Sequence, residues 1–295
     1  MRGGACRATP RRARTGILCN MRQRSLWGAH AALAAQRQAH GGIGAVHARV
    51  VACLDVLHNR VVKGVRFVGL RVMGGPVSTA HAHILSGVEE LVALDIGATV
   101  GHPSDMMHVA HGVSVHASVP VTLGGGVRQA SSVRAMMGAG ADKVSVNTHL
   151  ASGLCLLPKL AARHGAQCLV GCVDARMDRA CMAWSAACRG GSIGLRARAQ
   201  DWASAITSSG AGEVVLTSID RDGTRTGFDV PLASCVAGRT HAPFVISGGA
   251  GGSRDCLDAA SLCKPAGVLL AGAFHEGTVR ADALRAYIRS YAPHE

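Results

Sequence analysis

Pro120-Val121-Thr122-Leu123-Gly124-Gly125-Gly126 returns further along the chain as Pro243-Phe244-Val245-Ile246-Ser247-Gly248-Gly249-Ala250. Each copy is a short apolar run that stops in a glycine-rich turn, as a buried strand does where it hands over to a helix. Ala52-Cys53-Leu54-Asp55 parallels Gly171-Cys172-Val173-Asp174 in the same way, and Leu94-Asp95-Ile96 is matched with Ser218-Ile219-Asp220. The repeat is about 120 residues long, the length that four β/α units occupy, so the chain reads as a duplicated half.

Between these landmarks, apolar β-branched runs alternate with Ala-rich segments able to form helices, which is the signature of a parallel sheet with crossover helices. The runs are Arg49–Asp55, Leu91–Ile96, Val119–Leu123, Lys143–Asn147, Cys168–Asp174, Val214–Ile219, Pro243–Ser247 and Gly267–Ala271. Eight units in about 247 residues fit an α/β fold of the closed (β/α)8 TIM-barrel type, with an open doubly wound sheet as the alternative. In such a ring, twofold repetition sets strands 1 and 5 on opposite sides.

Composition narrows the function. The net charge of +13 is uneven: residues 1–48 carry eight Arg and no acid, leaving +5 for the rest. That residue is ordinary for a protein handling anionic small molecules, and no basic run interleaved with aromatics points to nucleic acid. The longest stretch without Asp, Glu, Lys or Arg, residues 106–127, is broken by three His and a Pro, so no membrane span is expected. The 11 Cys contain no C-x-x-C pair and the 15 His form no ligand spacing, so no metal and no cofactor is expected. Unpaired thiols suit a reducing compartment, and a cytoplasmic location is expected. Residues 1–48 read as a disordered Arg-rich leader, either an organellar transit peptide or an upstream extension with Met21 as an internal start. Residues 49–295 read as the barrel.

Each glycine-rich turn leaves a strand and enters a helix, so its amides can converge on an anion. Two copies imply two anion sites, completed by Asn147-Thr148 after strand 4 and Ala271-Gly272-Ala273 after strand 8. Asp55 and Asp174 end apolar strands at the face where barrel active sites lie, and a carboxylate there is costly unless solvated, paired or catalytic. Opposed carboxylates between two phosphate cradles suit acid–base work on an elongated substrate phosphorylated at both ends. At the other rim, Arg49, Glu90, Lys143 and Glu213 stand at the starts of strands 1, 2, 4 and 6. By residue type they form a salt-bridged plug, with a gate as the alternative.

Taken together, Cys53-Leu54-Asp55-Val56, Arg60-Val61-Val62-Lys63-Gly64-Val65, Ala141-Asp142-Lys143-Val144-Ser145-Val146-Asn147, Leu216 to Thr224 and Ser247-Gly248-Gly249-Ala250-Gly251 resemble the cyclase subunit of imidazole glycerol phosphate synthase, over about residues 49–292. The resemblance implies a lyase of histidine biosynthesis working as a heterodimer. It would take ammonia from a separate glutaminase subunit and act on phosphoribulosyl-formimino-aminoimidazole carboxamide ribotide. Imidazole glycerol phosphate and aminoimidazole carboxamide ribotide would be the products. By position, the resemblance makes Asp55 and Asp174 the acid–base pair and Lys63 a mobile-loop lysine. Gly126, Asn147 and Thr148 would hold one phosphate, and Gly223, Gly249, Ala271 and Gly272 the other. It turns Arg49, Glu90, Lys143 and Glu213 into an ammonia gate, with Asp142 beside the docking face. Only four residues are Lys against 27 Arg, and two of the four are Lys63 and Lys143.

The chain departs from that pattern at Val72 to Gly75, where two carboxylates are lost, at Gly97 in place of a Thr, and at Gly272 in place of a Ser. Loss of one hydrogen bond to phosphate is worth about 1.5–3 kcal/mol, so weaker binding is expected rather than lost chemistry. The sister isomerase barrel and a catalytically impaired scaffold for the glutaminase are the competing readings.

Overall fold

The computed structural model describes residues 48–98, 101 and 106–291. The leader expected over residues 1–48 lies outside them except for Ala48, which is buried.

Twelve strands follow in chain order: β1 (Arg49–Leu57), β2 (Arg60–Val65), β3 (Val68–Gly74), β4 (Glu90–Asp95), β5 (Val121–Gly124), β6 (Lys143–Val146), β7 (Leu169–Asp178), β8 (Ala183–Cys188), β9 (Ile193–Arg198), β10 (Glu213–Ser218), β11 (Phe244–Ser247) and β12 (Gly267–Leu270). Eight of them pair in parallel in the order β1, β4, β5, β6, β7, β10, β11, β12, and β12 returns to β1. The sheet is therefore a closed (β/α)8 barrel, not an open doubly wound sheet. Every one of the eight expected runs is a barrel strand. β1 and β7 stand four places apart in the ring, across the barrel from each other.

Four further strands form two antiparallel hairpins, β2–β3 running on from β1 and β8–β9 running on from β7. They occupy the same place in each half, which strengthens the duplication. One detail of the repeat is corrected by the register. Leu94 pairs with Gly124 and Thr217 with Ser247, so Leu94-Asp95 corresponds to Thr217-Ser218, one residue from the match read in the sequence.

Alternation along the strands divides the core in two. Val50, Ala52, Leu54 and Val56 of β1 face the surrounding helices, whereas Val51 and Cys53 join Val92, Val170, Cys172, Val215, Val245 and Leu269 inside the barrel. The same period puts Arg49 at the bottom of that inward row and Asp55 at its top. The helix Pro76–Leu85, which follows the departure at Val72 to Gly75, begins at Gly75 with no side-chain cap; Pro76 at its first position removes one of the donors that would need one. Among the described residues no helix is long and apolar enough to cross a membrane.

A candidate active site at the mouth of the barrel

Because β1 and β7 are parallel and opposed, Asp55 and Asp174 reach the same rim from opposite sides. Asp174 is 8% exposed and burial pushes its carboxyl up to about 6, against the pull of Asn147, whose Nδ2 donates to Asp174 Oδ2 at 2.8 Å. Asp55 is also raised by burial, but Lys63 opposes the rise with its ammonium 3.8 Å from Asp55 Oδ2. The two environments differ in kind: Asp55 has a cation beside it, Asp174 a neutral amide. Such asymmetry lets one carboxylate stay charged while the other holds a proton.

Lys63 lies on β2, where the hairpin brings it over the site, and its Nζ donates to Asp222 Oδ1 at 2.8 Å. Asp222 is a residue that sequence reasoning left without a role, although it lies in the stretch Leu216 to Thr224 quoted for the resemblance. It is 6% exposed, and its Oδ2 is buried without a hydrogen-bond partner among the described residues. Among the described residues, Asp55, Asp174, Asp222 and Lys63 thus give the site three carboxylates and one ammonium. The hairpin is fastened there by its backbone too, since Arg66 N donates to Asp222 O at 2.9 Å.

The two glycine-rich turns have the backbone that only glycine adopts freely. Gly126 and Gly249, equivalent in the repeat, have φ of +66° and +111°, and a Cβ on Gly249 would lie 2.3 Å from Gly227 O. Gly249→Ala is expected to lower stability by about 1–3 kcal/mol, seen as a fall in melting temperature; an unchanged value would mean that the turn is not built around this contact. The structure brings the residues expected for each anion site to adjacent strand ends: Gly126 after β5 with Asn147 and Thr148 after β6, and Gly249 after β11 with Ala271 and Gly272 after β12. Gly223, after β10, closes the second group; its φ is +69° and a Cβ on it would lie 2.5 Å from Gly64 O of the first hairpin. The pairs β5/β6 and β11/β12 are four places apart, so the two groups of residues face each other across the mouth. The Asn147 side chain is turned to Asp174. At Gly272, where a hydroxyl is absent, the space beside the missing Cβ is bordered by the Lys63 stem, with Cγ 3.7 Å from the position a Cβ would take.

At the opposite rim the four charged residues form a closed ring of alternating sign. Arg49 pairs with Glu90 at 3.2 Å and with Glu213, and Lys143 pairs with Glu90 at 2.9 Å and with Glu213 at 2.8 Å. Thr122 Oγ1 adds a bond of 3.0 Å to Glu90. Asp142 is exposed next to this ring and accepts from Val121 N at 2.8 Å. The four side chains are thereby linked in one ring at the floor of the barrel, with 34% of the Arg49 side chain exposed.

Among known proteins, residues 49–280 match the family described as Histidine biosynthesis protein. The chain is similar to imidazole glycerol phosphate synthase subunit HisF of Prochlorococcus marinus strain NATL2A, 38% identical over 241 residues, covering 81% of this chain and 94% of the relative. The protein of the same name from Caulobacter vibrioides strain NA1000 / CB15N is 40% identical over 231 residues, covering 78% of this chain and 89% of the relative. That of Prochlorococcus marinus strain MIT 9211 is 36% identical over 241 residues, covering 81% and 93%.

Proposed function

The chain belongs to the cyclase-subunit family of imidazole glycerol phosphate synthase in histidine biosynthesis, and from that premise we propose that it is an ammonia-dependent lyase that converts phosphoribulosyl-formimino-aminoimidazole carboxamide ribotide to imidazole glycerol phosphate and aminoimidazole carboxamide ribotide. The observation that carries this reading is the layout of the mouth: two glycine-rich turns facing each other, with an aspartate between them from either side. A substrate phosphorylated at both ends would be anchored at each tip, its reacting centre held over Asp55 and Asp174.

In this reading Asp55, with the Lys63 ammonium beside it, takes protons as ammonia adds. Asp174, whose carboxyl is held at about 6, returns one to the departing ribotide as the imidazole closes. Lys63 steadies Asp55 and closes the hairpin over the reacting centre through Asp222. Ammonia would come from a separate glutaminase subunit docked under the floor beside Asp142. The ring of Arg49, Glu90, Lys143 and Glu213 is then the gate, shut at rest and opened by that partner. The reading asks for no cofactor, involves neither nucleic acid nor membrane, and places the protein in the cytoplasm.

The test is to incubate the purified chain with ammonium salt and the bisphosphate substrate, without a glutaminase. Imidazole glycerol phosphate should form. No product at high ammonium would contradict the reading, and conversion of an aminoaldose without ammonia would identify the sister isomerase instead.

A further inference from the structure

The twofold repeat makes the two hairpins comparable residue by residue, and the comparison exposes an arginine to which the reading so far gives no task. In the first half Asp55 pairs with Val62, and the next residue along β2 is Lys63. In the second half Asp174 pairs with Ala187, and the next residue along β8 is Cys188. The second hairpin therefore carries a thiol where the first carries an ammonium. Its cation is displaced by one residue onto the turn, at Arg189.

The contacts of the two hairpins are equivalent as well. The first leans toward β12, where the stem of Lys63 borders Gly272 of the second cradle. The second leans toward β6, where Arg189 N donates to Thr148 Oγ1 at 3.2 Å. Thr148 and Gly272 are the corresponding residues of the two cradles, each the second residue past its strand. So each half has one hairpin resting on the cradle of the neighbouring strand, the first through the stem of Lys63 and the second through the backbone of Arg189.

We propose that Arg189 is a phosphate-binding residue of the first cradle, its guanidinium closing over the anion held by Gly126, Asn147 and Thr148. This rests on the reading that the site binds a bisphosphate. An exposed arginine is ordinarily a solvated charge, but three observations set this one apart. Its backbone is already bonded to a cradle residue, so its side chain starts within reach of whatever Thr148 holds. It enters no ion pair among the described residues and is exposed, so its donors are free for a ligand. Its φ of +51° in a turn with Gly190 and Gly191, at +61° and +77°, fixes where the side chain leaves the backbone. A planar guanidinium offers paired donors that match two phosphate oxygens. The assignment also gives the first cradle a side-chain donor set that Asn147 does not supply, its side-chain amide being turned to Asp174.

Arg189→Gln, Arg189→Lys and Arg189→Asn test this, the last because Asn accepts positive φ and leaves the turn intact. In the ammonium assay, Gln and Asn should raise KM for the bisphosphate about tenfold to a hundredfold with kcat within threefold, and Lys should fall between them and the wild type. A KM within twofold of wild type for Gln and Asn would overturn the proposal, as would a fall in kcat at constant KM. A calorimetric titration with inorganic phosphate separates this from the broader reading, because it needs no turnover. The wild type should bind at two sites, and one of them should weaken at least tenfold in Arg189→Gln. Equal binding by both proteins, or none by the wild type, would refute the role of Arg189 even if the enzyme turns over.

Discussion

Asp174→Asn is expected to abolish ammonium-dependent turnover, by a factor of about 10² to 10⁴, while making the protein more stable. Both effects come from one observation: the carboxyl is buried and held at about 6 rather than at its ordinary 3.8. For an acid whose folded value is raised, the protonated form is favoured by folding. The penalty is absent below the unfolded value and fully developed above about pH 6, where it amounts to at most about 3 kcal/mol. Asparagine removes the charge, keeps the size and still accepts from Asn147. Its melting temperature should exceed that of the wild type at pH 7, and the gap should shrink toward pH 4. A variant that loses turnover together with stability would show instead that Asp174 is a structural residue. Asp55→Asn should lose turnover comparably; with Lys63 beside it the stability change should be smaller.

The second large effect lies at the floor. Glu90 is 3% exposed and answers Arg49, Lys143 and Thr122 at once. Glu90→Ala would leave two cations, Arg49 with 34% of its side chain exposed and Lys143 with 16%, sharing the buried Glu213. Breaking a buried ion network in this way costs about 3–5 kcal/mol, and the melting temperature should fall by on the order of 10 °C. A fall of less than 2 °C would mean that water already reaches the ring and that the floor is not sealed. Apolar replacement of the whole ring at once should cost far less than this single change, because no charge would be left unpaired.

The barrel was legible because its strands are short β-branched runs buried on both faces, and because the duplication offered each landmark twice. The hairpins were not. β8 is Ala183-Trp184-Ser185-Ala186-Ala187-Cys188, a composition that favours helix, and it is a strand because β7 runs on past the barrel and pairs with it. Pairing partners across the fold override local preference, and no window of sequence contains them. The opposed aspartates, the facing glycine-rich turns and the floor ring could be read, since strand order and side-chain alternation together fix which residues share an end. Asp222 could not, because its position depends on the hairpin folding down to bring Lys63 within 2.8 Å. Asn147 was legible as a residue beside the first glycine-rich turn, yet the bond of its amide to Asp174 depends on side-chain direction, which spacing leaves open.

The central claim is that a doubly phosphorylated molecule spans the mouth, held at each end, with one aspartate on either side of its reacting centre. The most direct measurement is a crystal structure of the chain with the bisphosphate substrate bound. One phosphate should lie against Gly126, Asn147 and Thr148, and the other against Gly223, Gly249, Ala271 and Gly272, with the formimino and ribulosyl carbons between Asp55 and Asp174. A molecule seated with only one cradle filled, or with both aspartates on the same side of it, would contradict the account.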